Sequence, residues 1–157
     1  MSWTDELDGR VDELIEDYRT ALHDSLDGLT EDEARARLVP SKTTLMGLLK
    51  HVTFVEAVWF DQAVTGRSLR DIGVAATTDA SFTLTAADTV ATVQQAHRER
   101  CHASRTALTG LSPDDVVEGG RGSRAVWALK LQVLRELAQH AGHADILREQ
   151  VLATRGA

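Results

Sequence analysis

The sequence predicts an all-α protein, a four-helix bundle with a long crossover connection. Apolar residues recur at three- and four-residue spacing in four separate segments, which is the pattern of amphipathic helices. Both prolines, Pro40 and Pro113, lie between those segments, and no stretch shows the strict alternation of a β-strand. A length of 157 residues suits one core. We therefore predict a single domain over residues 1–157.

The first helix is predicted at about residues 4–26, and Asp27-Gly28 provides its C-terminal stop. A capping box from Thr30 to Glu33 predicts a short helical turn after it. Trp3 is predicted to cover the end of the bundle. The apolar stripe of the first helix consists of Leu7, Val11, Leu14, Ile15, Tyr18 and Leu22.

The second helix is predicted to begin after Ser41 or Thr43, either of which can cap it, and to continue to about Val64 before Gly66. Residues 67–84 are rich in Ser, Thr and Gly and are predicted to form a loop or an irregular strand-like stretch. The buried face of the second helix is predicted to consist of Leu45, Leu48, Leu49, Val52, Val55, Trp59 and Phe60.

The third and fourth helices are predicted at about residues 86–108 and 123–152, with a glycine-rich polar loop between them. Trp127 is predicted to lie in the core, and Arg121 and Arg124 to lie in a solvated loop rather than to meet an anionic substrate. The core face of the third helix contains Val90, Val93, His97, Cys101, Ser104 and Leu108. The core face of the fourth contains Val126, Leu129, Val133, Leu137, His140, Ala144, Leu147 and Val151.

Composition excludes several classes of protein. The net charge is −7 and the basic residues are scattered, so the basic footprint of a nucleic-acid-binding protein is absent. No apolar run reaches the roughly 18 residues of a membrane span. The acidic N-terminal segment lacks the apolar core of a signal peptide, which makes the cytoplasm the expected location.

The fourth helix carries a pattern that suits a metal site. Residues four apart on a helix are neighbours, so Glu136 and His140 point the same way. His51 lies at the edge of the second helix's apolar stripe, and a bundle can bring such positions together across its core. Two imidazoles and a carboxylate suit Zn²⁺, Ni²⁺ or Fe²⁺, with coordination positions left open. The alternative is that these are ordinary hydrogen-bonded helix residues.

Other reactive side chains are assigned to structure. The sole cysteine, Cys101, shares an apolar face with Val93 and is predicted to be a small buried hydrophobe rather than a nucleophile. His97 is predicted to be a core histidine. His23 and His102 are predicted to lie at the surface.

Two segments carry a family resemblance. Residues 43–52, TTLMGLLKHV, with the following Val55-Glu56 and Trp59-Phe60, resemble the second helix of DinB/YfiT-like proteins. Residues 134–149, LRELAQHAGHADILRE, resemble the last helix of an actinobacterial branch of that superfamily. That branch is related to the N-terminal domain of the mycothiol-dependent maleylpyruvate isomerases.

The resemblance implies a ligand set. One family ligand ends the second-helix motif and two lie on the last helix at i and i+4, which corresponds here to His51, Glu136 and His140. His143 falls where other members carry Gln, so it is assigned to the outer shell of the site, with first-shell ligation as the rival assignment.

The resemblance also implies a function: a metal-dependent transferase or isomerase that uses a low-molecular-weight thiol, with a small molecule as its substrate. Of the 17 basic residues only three are Lys, which is typical of a high-GC genome and favours mycothiol as the thiol. A metal-dependent hydrolase and a non-enzymatic metal- or ligand-binding stress-response bundle are the alternatives. A homodimer is expected from the family and from the wide apolar surface of the second helix.

Overall fold

The structure is a computed structural model that describes residues 7–120 and 122–156. The predicted helix start at Thr4, the covering role of Trp3 and the assignment of Arg121 lie outside the described residues. Long helices form α1 (Leu7–Asp24), α3 (Leu45–Glu56), α7 (Val90–Leu108) and α8 (Val126–Ala153). Helix α8 packs against α1 and α3, and α3 packs against α7. The predicted all-α bundle is thereby confirmed.

The second long helix continues past α3 through an irregular turn. After Glu56 the chain enters a π-helical segment, Ala57–Gln62, followed by α4 (Ala63–Thr65) and a left-handed Gly66 at φ 73°. The π-helical segment buries Asp61, whose carboxylate accepts a hydrogen bond of 2.7 Å from Arg100 Nη1 on α7. A π-helical turn shifts the register of the residues that follow it, which the spacing of apolar residues does not reveal.

The connection between α4 and α7 contains two short helices, so the prediction of a loop or strand-like stretch at residues 67–84 was wrong in part. They are α5 (Leu69–Ile72) and α6 (Thr78–Ser81). Each has an N-cap side chain, Ser68 and Thr77, that accepts a hydrogen bond from a backbone N–H of the first turn. Such caps stabilise a single turn that is too short to show periodicity. The capping box predicted at Thr30 is present and begins α2 (Glu31–Ala34).

The prediction that the chain has no strands was also wrong at one point. Strands β1 (Val116–Val117) and β2 (Arg124–Ala125) pair antiparallel, with Val116 opposite Ala125. Two residues per strand cannot show alternation. After α8 the described chain ends in a 3₁₀ turn, Thr154–Gly156.

The apolar stripes form the core largely as predicted. All eight core positions predicted for α8 are buried, whereas Trp127 is 49% exposed, so its placement in the core was wrong. Trp127 follows Val126 by one residue, and the 100° turn between neighbours takes it off the stripe. Trp59 is half-buried. No described helix is both long and apolar enough to cross a membrane.

Helix α3 is enclosed by the rest of the chain. Eleven of its twelve residues are buried, with Lys50 the exception. The wide apolar surface of this helix, which favoured a homodimer, is therefore buried within the bundle. It gives no support for the binding of a second chain.

An ion pair that periodicity does not reveal joins α1 to α3. Arg19 donates to both carboxylate oxygens of Glu56 at 2.8 Å, and the two residues are 5% and 1% exposed. Arg19 also donates to Glu16 at 2.6 Å. Because both charges are buried, each needs the other to offset the free energy lost when it leaves water.

The buried side chains of α7 include His97 and Cys101. His97 is 2% exposed, and its Nε2 lies 3.5 Å from Cys101 Sγ. Burial raises the pKa of the Cys101 thiol to about 12, which fits the predicted structural role. His102 is exposed as predicted, whereas His23 is half-buried, because its ring stacks on His97 at a centroid distance of 5.6 Å.

The burial of His97 makes stability depend on pH. Burial lowers the pKa of His97 from its ordinary 6.5 to about 4; the charge of Glu56 opposes this shift, and those of His23, Arg19 and Arg98 add to it. Between these values the unfolded chain binds a proton at this position that the folded chain does not bind. The free energy of unfolding should therefore fall as pH drops from 6.5 towards 4, by up to about 1.4 kcal/mol per pH unit from this residue.

Urea unfolding at several pH values measures this dependence. The His97→Gln variant should show a shallower slope over the same range, since glutamine does not titrate. His102→Gln, a change at an exposed histidine of the same helix, is the matched control and should keep the wild-type slope. Equal slopes for wild type and His97→Gln would contradict the assignment.

Candidate metal centre

His51 is fixed from behind by a short helix. It is 4% exposed on α3, and its Nδ1 lies 2.8 Å from Ser81 Oγ, at the end of α6. The Ser81 hydroxyl donates its own hydrogen to Thr78 O at 2.6 Å, so it accepts from His51 Nδ1–H. This assignment leaves Nε2 as the unprotonated ring nitrogen, with a lone pair available to a metal.

Glu136 has one oxygen engaged and the other directed at His140. Its Oε1 accepts from Gln132 Nε2 at 3.1 Å and from Arg135 Nη2 at 2.6 Å. Its Oε2 lies 3.6 Å from His140 Nε2. Gln132 is one turn before Glu136 on α8 and thus orients the carboxylate from within the same helix.

His140 is held in the same manner as His51. It is 9% exposed, and its Nδ1 lies 3.3 Å from Nδ1 of His143, one turn along α8. The exposed His143 therefore stands behind His140, on the side away from Glu136. This is the place expected for an outer-shell residue rather than for a ligand.

Potential ligand atoms of His51, Glu136 and His140 lie within 4.8 Å of one another, one from each residue. The rings of His51 and His140 meet edge to face, with centroids 4.7 Å apart. Ligand atoms at bonds of about 2.1 Å from a single ion would stand roughly 3–3.5 Å apart, so a small closure of the cluster would suffice. Two neutral nitrogens and one carboxylate oxygen fit a borderline metal ion such as Zn²⁺, Ni²⁺ or Fe²⁺.

Electrostatics keeps both imidazoles in the form that binds metal. Burial and the neighbouring His140 lower the pKa of His51 to about 4. Burial also lowers the pKa of His140; His143 adds to this effect and Glu136 opposes it. Both rings are accordingly neutral near pH 7, and a metal need not displace a proton from either.

A cavity of about 380 Å³ opens beside the cluster. Aromatic rings shape it: Phe82 stacks on His51 at 4.0 Å between centroids, and the Arg124 guanidinium lies 5.9 Å from the centre of the Trp59 ring. The π-helical segment brings Val58 and Trp59 to this wall. The remaining lining residues are His51, Phe54, Val55, Thr78, Gln132, Glu136, Gln139 and His140.

Two residues that hydrogen-bond the predicted ligands were not predicted from the sequence. Gln132 could have been found, because it precedes Glu136 by one turn on a predicted helix. Ser81 could not, since it lies in a segment predicted as a loop, and its distance to His51 depends on how that segment folds back on α3. The Thr77 cap was the only local signal for α6.

Ser81→Ala should weaken metal binding without unfolding the bundle. Loss of an outer-shell partner of a metal-binding histidine typically costs about 10- to 100-fold in affinity. Competition with a chromophoric chelator would measure the Zn²⁺ affinity. Ser68→Ala, which removes the N-cap hydroxyl of the neighbouring short helix α5 and makes no contact with His51, is the control and should bind like wild type. Equal affinities for the two variants would show that Ser81 does not support His51.

Comparison with known families identifies one match. A family model described as mycothiol-S-transferase matches residues 10–153, a span that includes α1 from Arg10 onwards, the other three long helices and the three clustered side chains. A search of curated proteins finds no match.

Proposed function

The chain belongs to the mycothiol-S-transferase family, and we propose that it is a metal-dependent enzyme that joins a low-molecular-weight thiol to a small electrophile. This family lies within the DinB/YfiT-like actinobacterial group, as the two helix motifs predicted. The observation that carries the proposal is the convergence of His51, Glu136 and His140, each with its second polar atom already hydrogen-bonded.

In this proposal His51 Nε2, His140 Nε2 and one oxygen of Glu136 hold the metal, with Zn²⁺ or Ni²⁺ expected and Fe²⁺ as the alternative. When bound, the metal would lower the pKa of the thiol, because the thiolate is the nucleophilic form. The donor set supports this, since three protein ligands leave positions for an exogenous thiol.

The residues of the cavity would position the reactants. Trp59, Phe82 and Phe54 would exclude water from one side, and the Gln132 and Gln139 amides offer polar contacts to a sugar-bearing thiol. The thiol proton would pass to solvent, the sulfur electron pair would form the new S–C bond, and the leaving group would depart with the pair of the bond that breaks.

Two alternatives use the same three side chains. A hydrolase would place water where the thiol binds, and a non-enzymatic bundle would bind a metal or ligand without turnover. The family match favours thiol chemistry over both. The single-domain organisation, the cytoplasmic location and the homodimer remain predictions.

A Co²⁺-substituted protein titrated with mycothiol separates these functions. Mycothiol that binds at the metal should add a thiolate-to-cobalt charge-transfer band in the near ultraviolet. S-methylated mycothiol, which cannot form a thiolate, should add no such band. His102→Ala, at an exposed histidine on α7, should give the wild-type spectrum. Cobalt d–d bands without any response to the thiol would reject the proposed function in favour of the alternatives.

A further inference from the structure

A second cavity lies against α3, next to the cavity beside the metal cluster. Its volume is about 510 Å³, against 380 Å³ beside the cluster, and it is lined mainly by α3, α7 and residues 72–75 at the end of α5 and beyond. We call it the α3–α7 cavity. Phe54 lines both cavities, and Ser81, which lines the α3–α7 cavity, is hydrogen-bonded to His51 of the other. The volume lies within the range of about 300–1,000 Å³ that is typical of small-molecule pockets.

The floor and roof of the α3–α7 cavity are apolar. Phe54 and Val93 form the buried floor, at 6% and 4% exposure, and Ile72 and Val74 cover it from the connection. On the outer face of α7, Ala96 is exposed at the rim. A flat apolar body could enter beside Ala96 and exchange water contacts for contacts with these side chains.

The charged side chains that line the α3–α7 cavity differ in how far they are already hydrogen-bonded to other groups. The Asp88 Oδ2 atom accepts from Lys50 Nζ and from two groups of Thr85, so this acid already has its partners. Arg100 is only 11% exposed, and its Nη1 donates to Asp61 outside the cavity. A guanidinium carries five N–H donors in a planar fork and can serve a second carboxylate. Glu99 is exposed and accepts from Gln95.

We propose that the α3–α7 cavity binds a small organic anion with an apolar body, the carboxylate at Arg100 and the body on Phe54 and Val93. This site is separate from the metal centre and does not depend on the proposed thiol chemistry. The proposal rests on the volume of the cavity, its apolar floor and the guanidinium of Arg100 in its lining, which is only 11% exposed.

Three matched probes test the class of ligand: a naphthalene carboxylate, the corresponding alcohol and the corresponding ammonium compound. They share one apolar body and differ in head group. Titration calorimetry is performed on chelator-treated protein, so that no carboxylate binds through a metal. The carboxylate should bind about tenfold more tightly than the alcohol, the usual effect of a charge-assisted hydrogen bond, and the ammonium compound most weakly. Equal binding of all three, or no binding, would overturn the proposal.

Four variants, two at the proposed site and two as controls, locate the site. Ala96→Trp should abolish carboxylate binding by covering the mouth, whereas Ala91→Trp, also at an exposed alanine of α7 but outside the lining, should not. Arg100→Gln should remove the preference for the carboxylate over the alcohol, with circular dichroism as the check on folding. Glu136→Gln should leave carboxylate binding unchanged, which separates this site from the metal centre. Equal loss in both tryptophan variants would overturn the assignment.

Discussion

Replacement of Glu136 by glutamine is expected to lower Zn²⁺ affinity by at least about a hundredfold. Glutamine keeps the shape of the side chain and can still accept from Gln132, so the bundle should remain folded. What is lost is the negative charge and the stronger oxygen donor. His140→Ala should show an equal or larger loss, because it removes a ligand nitrogen outright.

Elemental analysis of the purified proteins, followed by chelator competition, would measure these effects. His143→Ala discriminates between the two assignments of that residue. If His143 is an outer-shell partner, the variant should lose about 10- to 100-fold in Zn²⁺ affinity; if it is a ligand, the loss should match that of His140→Ala. His102→Ala should retain wild-type affinity. Full Zn²⁺ affinity in Glu136→Gln would show that the cluster does not bind metal as proposed.

Replacement of Arg19 by methionine is expected to destabilise the fold by about 3–5 kcal/mol. The change leaves the Glu56 carboxylate, which is 1% exposed, without its cation in the core. The double variant Arg19→Met, Glu56→Leu should regain much of the loss, since an apolar pair avoids the cost of a buried, unpartnered charge.

Urea unfolding followed by circular dichroism measures this series. Lys42→Met breaks a comparable ion pair with Asp79 that is exposed on both sides, and it should cost no more than about 1 kcal/mol. A double variant as unstable as Arg19→Met alone would contradict the argument, because it would place the loss in packing rather than in charge.

Periodicity predicted the long helices well because burial of one face repeats every few residues. In α8 that repeat extends over seven turns, and every position predicted for its core is buried. Short elements lack such a repeat, so α5, α6 and the β1–β2 pair were missed. Their stability depends on single caps and on backbone pairing, which the order of apolar residues does not encode.

The three clustered side chains could be predicted because two of them share one helix turn and the third ends a recognisable motif. Contacts between distant segments could not be predicted in this way. Ser81 contacts His51, 30 residues earlier in the sequence, and in the core Glu56 pairs with Arg19, 37 residues earlier. Contacts of this kind depend on the packing of separate elements, and no local pattern reports them.

The position of α6 determines where this chain can change length. Between Gly73 and Thr77, Val74 and Ala75 are half-buried and Ala76 is exposed, and none of them lines the cavity beside the metal cluster. An insertion there would lengthen the connection and leave α6 in place. From Thr77 to Phe82 every residue is fixed in register by the cap, by the Ser81 contact to His51 or by the Phe82 stack. Related chains should accordingly vary in length before Thr77 and keep a constant spacing after it.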